Sequence, residues 1–339
     1  QGVISHLYGA IAGRKPGVIT KVGLHTFVDP RLEGGKVNDI AKDDLVQVIE
    51  LLGEEWLFYP RLDINVSLVR GSTADTNGNI VMDQEPAILE AISIAQAAKA
   101  CGGFVIAQVK HLAEAGSLDP RQVKIPGIYV DHIVVDKNQM QTVEGEYNHS
   151  FSGEIKIPLE GIELPEMDIK KVIGVRAARE LFKGAVVNLG FGVPSYVSAV
   201  ASEQGMLEDI TFTVEQGIVG GMPAGGVIFG VAYNPEAIIG EDYQFTFYDG
   251  GGLDLAFLGM AQFDQKGNVN VSKVGPMLTG CGGFINITQS ARKVIFCGTF
   301  TTKGLRCDIG SGQLKILSEG KVKKLVPVVS QVTFSGDYA

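Results

Sequence analysis

The residues best suited to chemistry lie between Thr211 and Gly226, in the stretch Thr-Phe-Thr-Val-Glu-Gln-Gly-Ile-Val-Gly-Gly-Met-Pro-Ala-Gly-Gly. Thr211 to Val214 is β-branched and aromatic and predicts a strand, after which glycines and a proline follow closely. Glu215 stands at the break. A carboxylate there rides on a rigid element and faces a loop whose main chain can approach a ligand closely. Taken singly, such a glutamate reads as a solvated strand-end charge. Its alternative use is nucleophilic. A carboxylate is already ionised at neutral pH and needs no general base, provided the acyl group it attacks carries a good leaving group, as a thioester does. The oxyanion formed in that attack would be held by main-chain N–H donors such as those of a Gly-Gly pair.

Other chemistries fit poorly. His6, His25, His111, His132 and His149 all precede position 150, so the half holding Glu215 has no histidine for a Ser-His-Asp triad, and their scatter makes no metal spacing. Cys101, Cys281, Cys297 and Cys307 form no Cys-x-x-Cys pair and read as free thiols of a reducing compartment. The net charge of −9 argues against a nucleic-acid binder, although a local basic pocket for a phosphate-bearing ligand stays open. No apolar run approaches the ~18–20 residues of a membrane span, and the start does not read as a signal peptide, so the default location is cytoplasmic. At 339 residues the chain can form two domains.

The elements that must position Glu215 follow from pattern and punctuation. Asp168 is a helix N-cap for 169–182, stopped by Gly184; a strand at 185–189 ends in Gly190-Phe191-Gly192-Val193-Pro194; a second helix covers 195–203. Strand, glycine turn and helix bring main-chain N–H groups toward a ligand, although this Gly-x-Gly lacks the full dinucleotide fingerprint. Tyr243, Phe245, Phe247 and Tyr248 read as a core-facing aromatic strand entering Gly250 to Gly252, and Asp254 as a helix cap. Strands are expected at 269–274 and 293–297, with two amphipathic β segments after them. Earlier in the chain, 43–52 reads as a short helix, and 56–59, 64–69, 104–109 and 129–135 as strands. A helix over 85–100 closes at Cys101-Gly102-Gly103. Helix followed by buried strand is the pattern of a parallel sheet. The polar stretch Glu144 to Glu166 reads as the interdomain linker.

The combination resembles the family I coenzyme A transferases, and most closely their acetate/propionate, short-chain acyl branch. The resemblance is carried by Val214-Glu215-x-Gly217 with Gly220-Gly221, Asn188-Leu-Gly-x-Gly-x-Pro194, Asp249-Gly-Gly-Gly-x-Asp254 and Gly280-x-Gly-Gly-Phe284, in the family's order. In the first half, Gln1-Gly2 and Gly23-x-x-Thr26-Phe27 sit where the family has a Gln-Gly pair and a Gly-x-Gly-Thr loop. The resemblance implies an α/β fold of two related open-sheet domains, mostly parallel and flanked by helices, at 1–160 and 161–339, with the start of the first and a C-terminal tail missing from a chain that begins at Gln1.

It further implies transfer of coenzyme A between a short-chain acyl-CoA and a free carboxylate. Glu215 would form an acyl-glutamyl anhydride and then a glutamyl-CoA thioester. Gly282 and Gly283 would hold the oxyanion and Gln1 would lie against the reacting carboxylate. Gly190, Gly192, Gly220, Gly221, Gly251 and Gly252 would contact the CoA. No permanently bound cofactor or metal is implied, coenzyme A being substrate and covalent intermediate, and a homo-oligomer, dimer or tetramer, is expected. A thioesterase using the same glutamate and a non-catalytic CoA-binding protein remain alternatives. One departure is His25, which replaces the second glycine of the Gly-x-Gly-Thr loop; it either enters the acyl pocket or points to solvent. Cys281 occupies a variable position and is not expected to act as a nucleophile.

Overall fold

Apolar spacing at the start of the chain produces helix α1 (Gly2–Ala12), which buries Leu7, Ala10 and Ile11. A computed structural model describes residues 1–145, 147–159, 162 and 165–338. After α1 come three antiparallel strands in the order β1 (Gly17–Thr20), β3 (Glu54–Pro60), β2 (Gln47–Leu51). Residues 47–51 therefore form a strand where a short helix was expected. Leu52 and Gly53, with φ of 56° and 78°, make a tight turn that pairs Val48 and Ile49 with Leu57 and Trp56.

The first half then builds a five-stranded sheet from β4 (Val66–Asp75), β5 (Ile80–Val81), β6 (Phe104–Ala113), β7 (Val123–Ile125) and β8 (His132–Val135), with helix α2 (Ala91–Ala100) before β6. Its order is β7-β5-β4-β6-β8; β4, β6 and β8 run parallel and β5 and β7 antiparallel. The expected strand at 129–135 is divided: Gly127–Tyr129 is a 3-10 turn and only β8 is extended. Val69, Ile80, Val105, Val109 and Ile125 join Ala95 and Ala98 of α2 in the core.

The second half repeats the plan. Asp168 caps helix α3 (Ile169–Ala178) by accepting the Lys171 N–H at 2.8 Å. Next come β9 (Val186–Leu189), α4 (Tyr196–Glu203), β10 (Thr211–Val214), β11 (Ile218–Val219), and a small hairpin of β12 (Met222–Pro223) and β13 (Ala232–Tyr233). Then follow β14 (Ala237–Ile238), α5 (Glu241–Asp249) and β15 (Leu255–Leu258). Two short pairs, β16 (Gln262–Phe263) with β17 (Val269–Asn270) and β18 (Lys273–Val274) with β19 (Met277–Leu278), lead to α6 (Phe284–Ser290) and β20 (Lys293–Phe296).

The six-stranded sheet has the order β14-β11-β10-β9-β15-β20, parallel from β10 to β20 and antiparallel at β11 and β14. Val187, Phe212 and Phe257 of its centre pack against Val197, Val200 and Ala201 of α4. The molecule is thus an α/β fold of mixed sheets flanked by helices. The expected boundary between 160 and 161, and part of the linker around it, lie outside the described residues.

Two expectations change here. Residues 241–249 form a helix, not an aromatic strand, because Glu241, Gln244, Phe245 and Tyr248 fall on one face at helical spacing and are buried together. Glu241 and Asp242 in the first turn favour that helix, and Gly250 to Gly252 end it. Asp254 caps no helix: it accepts the Val186 N–H at 3.0 Å and pairs with Arg292 at 2.9 Å, tying the starts of β9 and β15 together.

Candidate active site

Glu215 follows directly on β10, whose residues Phe212 to Val214 are buried, so the strand fixes where its side chain starts. The next residues turn back into β11, and Gly217 (φ 99°) makes that possible: a β-carbon there would lie 2.1 Å from the Ile239 carbonyl oxygen. Glu215 borders a cavity of about 530 Å3 between the glycine turn after β9, the β16–β19 pairs and α6. Gly190, Cys281 and Gly283 line the same cavity. Although the side chain keeps an opening toward the cavity, protein atoms surround the carboxylate, and burial pushes its pKa up.

Gly282 and Gly283 precede α6 immediately. Gly283 has an ordinary φ of −79°, so its requirement is space: a β-carbon would lie 3.0 Å from Glu215 Oε2 and 2.9 Å from the Phe245 ring. Gly282 has the opposite character: its φ is 52°, and a β-carbon there would find only Gln1 Oε1 near, at 3.7 Å. Among the described residues neither N–H donates to another main-chain carbonyl.

Gln1 arrives from the other half of the chain. Its nitrogen donates to the Gly282 carbonyl at 2.7 Å. Helix α1 then packs so tightly on α5 and α6 that a β-carbon on Gly2 would lie 2.5 Å from the Phe245 ring and 2.6 Å from Asn286 Nδ2. Ser5 Oγ donates to Glu241 Oε1 at 3.3 Å, and His6 Nε2 lies 3.1 Å from both the Asp242 carbonyl and Thr246 Oγ1. Gln1, Glu215, Gly282 and Gly283, 282 positions apart at the extremes of numbering, thus come together.

The other glycines divide. Gly190 lines the cavity, donates to the Phe257 carbonyl and lies hard against Leu258. Gly192 has φ of 86° and opens the turn into α4. Gly220 and Gly221, with φ of 75° and 76°, have their vacant β positions filled by Glu236 and by the Tyr233 and Asn234 carbonyls. Gly251 and Gly252 close α5 by donating to the Tyr248 and Phe247 carbonyls. None of these last five borders the Glu215 cavity.

His25 lies outside the cavity. Its φ of 59° is the left-handed conformation that glycine adopts most easily, and its exposed ring packs against Tyr338 with centroids 4.4 Å apart. The loop around it is fixed by Gln289 of α6, which accepts from Gly23 N at 2.9 Å and donates to the Leu24 carbonyl at 3.0 Å. Against burial, the Arg31 guanidinium and the N–H groups of His25 and Arg31 hold the Asp29 carboxyl at the loop's far side down to about 2.

Sequence reasoning missed the polar bed beneath the site. Tyr248 Oη donates to Thr213 Oγ1 at 2.8 Å and accepts from Asn188 Nδ2 at 3.3 Å, bracing the end of β10. Glu241 is 1% exposed; burial and then the adjacent Glu90 carboxyl push it up to about 8, and the Glu215 charge acts in the same direction. Lys324 was also missed. It borders the cavity, donates to the Met260 carbonyl at 3.0 Å, and burial lowers its pKa. Nothing in local sequence marks these residues, since each depends on contacts across distant segments. Among the described residues no cluster of His, Cys, Asp and Glu is placed to hold a metal, no helix is long and apolar enough to cross a membrane, and the four cysteines are unpaired.

A strand-end carboxylate beside glycine N–H groups that are unpaired among the described residues, in a largely apolar cavity lined by the second half of the chain and with Gln1 of the first half against Gly282, defines a protein built around Glu215. Known proteins place it more narrowly: the chain belongs to the coenzyme A transferase family. The family profile described as coenzyme A transferase matches residues 1–136. The caffeate CoA-transferase of Acetobacterium woodii is 51% identical across 100% of this chain and 66% of its own length. The acetate CoA-transferase YdiF of Escherichia coli K12 is 40% identical across 100% of this chain and 64% of its own. The crystal structure of the acyl-CoA transferase YdiF apoenzyme from Escherichia coli O157:H7 covers 99% of this chain and 64% of that one, with a TM-score of 0.93 and 38% identity. Its thioester complex with CoA gives a TM-score of 0.91, over 99% and 63% of the two chains. The chain therefore spans just under two thirds of the length of these relatives.

Proposed function

We propose that the protein transfers coenzyme A between a short-chain acyl-CoA and a free carboxylate, with Glu215 as covalent nucleophile. The observation that carries this reading is the closeness of Glu215 Oε2 to Gly283, where a β-carbon would lie only 3.0 Å from it, at the start of α6 and inside the cavity. A Glu215 oxygen attacks the thioester carbonyl, the C–S bond breaks, and CoA leaves as thiolate from an acyl-glutamyl anhydride. The thiolate then attacks the glutamyl carbonyl, releasing the first carboxylate and leaving a glutamyl-CoA thioester. The acceptor carboxylate runs both steps backward, so atoms and charge balance without any added reagent. Each attack creates an oxyanion, for which the unpaired N–H groups of Gly282 and Gly283 are the donors; one such donor is worth about 100- to 1000-fold in rate. Burial of Glu215 raises its energy as a carboxylate and suits it to attack.

The wall formed by Phe191, Phe229, Met260, Met277 and Phe284 supports burial of an apolar acyl or pantetheine chain and exclusion of water, which would otherwise hydrolyse the intermediates. Gln1, brought against Gly282, is assigned to the reacting carboxylate. The division into 1–160 and 161–339, a homo-oligomeric assembly and a cytoplasmic location belong to the same proposal. Intact mass after incubation of the full-length protein with acetyl-CoA, followed by peptide mapping, tests it. A CoA-sized adduct on the Glu215 peptide, absent from Glu215→Ala, is the expected result. Steady CoA release without an adduct would instead support a thioesterase, and neither adduct nor release a binding protein.

A further inference from the structure

The Glu215 cavity runs along the carboxyl ends of four neighbouring parallel strands. Glu215 stands past the end of β10, Gly190 past β9, Met260 past β15 and Cys297 past β20, and all four line it. Such an edge is where open α/β sheets bind ligands. Lys324 stands at the end away from Glu215. It follows the short strand Val322–Lys323, and its main chain is pinned on both sides: its N–H donates to the Phe300 carbonyl and its carbonyl accepts from the Phe263 N–H, each at 2.8 Å. The half-buried side chain borders the cavity, where its ammonium donates to the Met260 carbonyl at 3.0 Å and lies 3.4 Å from the position a β-carbon on Gly298 would take.

Met260 takes one of the three ammonium donors and leaves two. Among the described residues Lys324 is the one cation lining the cavity, and no carboxylate forms an ion pair with it. Burial without an anion disfavours its charged form. A neutral donor would serve one carbonyl equally well, whereas a desolvated cation with spare donors suits an anion that arrives with the ligand.

Distance decides which anion. The ends of β15 and β20 lie two and three strand spacings from β10, and Lys324 touches both through Met260 and Gly298, so its ammonium lies roughly 10–14 Å to the side of Glu215. A carboxylate reacting at Glu215 must come within about 3.5 Å of its partner atom and is beyond the reach of that ammonium. The pantetheine arm of coenzyme A, from sulfur to the first phosphorus, is about thirteen bonds long, the backbone of about four extended residues or roughly 14 Å. We propose that Lys324 anchors the diphosphate of coenzyme A at the end of the cavity away from Glu215. This rests on the function proposed above. Lys324 thereby selects the whole coenzyme over a truncated thioester and takes no part in bond making.

The test compares acetyl-CoA with acetyl-pantetheine, which has the same thioester and arm but no phosphate, in the full-length protein. Lys324→Met removes the charge and keeps the apolar stem. Its kcat/KM for acetyl-CoA is expected to fall about 10- to 100-fold, while that for acetyl-pantetheine changes by less than about twofold. Lys324→Gln, which can still donate to the Met260 carbonyl, is expected to show the same selective loss, and it carries the test if Lys324→Met does not fold by circular dichroism. An equal loss on both donors would reveal a structural role, and an unchanged value on acetyl-CoA would mean no contact with the phosphates; either result overturns the proposal. Titration calorimetry with coenzyme A separates the two readings. A wild type that binds coenzyme A without forming the Glu215 adduct removes the transferase function, and the Kd then decides Lys324 alone: a rise of about 10- to 100-fold in the variant supports the anchor, and an unchanged Kd overturns it. A wild type that does not bind coenzyme A overturns both.

Discussion

At the scale of single residues, Glu215 and Gly283 constrain each other. A buried carboxylate with a raised pKa opposes folding once ionised. The cost is absent below the unfolded pKa, where the group is protonated in both states, grows as pH rises, and is complete above the folded pKa. Glu215→Gln is therefore expected to abolish exchange while stabilising the fold at pH 7 by about 0.5–2 kcal/mol, with the gain vanishing near pH 4. Thermal melts at the two pH values check this, and an equal gain at both would contradict the electrostatic origin. The glycine pair supplies a second contrast. Gly283→Ala drives a methyl group toward Glu215 Oε2 and the Phe245 ring, so kcat should fall at least about 100-fold. Gly282→Ala has room but a left-handed backbone, which costs about 1 kcal/mol of stability, and a smaller kinetic loss is expected from it. Glu215 was legible because a β-branched strand ran straight into glycine. Glu241 was not, because its side-chain partner Ser5 lies 236 residues earlier.

At the scale of elements, α5 shows why a local pattern misled. Tyr243, Phe245 and Phe247 alternate as a strand would, yet Tyr243 and Phe247 are exposed and Phe245 is buried with Glu241, Gln244 and Tyr248. Polar residues at the buried spacing masked the helical period, and those residues form a bed of hydroxyl, amide and carboxyl groups beneath Glu215. The acidic first turn and the three glycines were the available signals. The 47–51 strand was misread for a related reason, since its turn requires Leu52 in a conformation that leucine rarely adopts. Tyr248→Phe tests the bed. It leaves the Thr213 hydroxyl without its donor and removes an Asn188 contact in the core, and a loss of about 1–3 kcal/mol is expected in denaturant melts.

At the scale of the whole molecule, the first half reaches the region of Glu215 through Gln1 and Gly2, and sequence pattern could indicate each half without indicating how they dock. Gly2 is where that docking becomes testable, because two physical effects predict opposite signs. Inside an exposed helix, Gly→Ala stabilises by about 1 kcal/mol. Here the added β-carbon would lie 2.5 Å from the Phe245 ring and 2.6 Å from Asn286 Nδ2. Phe245 is fully buried, and Asn286 is fixed by the Asp249 carboxylate at 2.9 Å, so neither can withdraw freely. Helix α1 must move instead, carrying Gln1 away from Gly282. Gly2→Ala is expected to lower kcat by about 100-fold and to increase amide exchange in α1 and α5, while exchange in the two central sheets stays as in wild type. A variant with normal kcat and slower exchange in α1 would mean that helix propensity prevails, and that the contact between the halves does not set the geometry of the site.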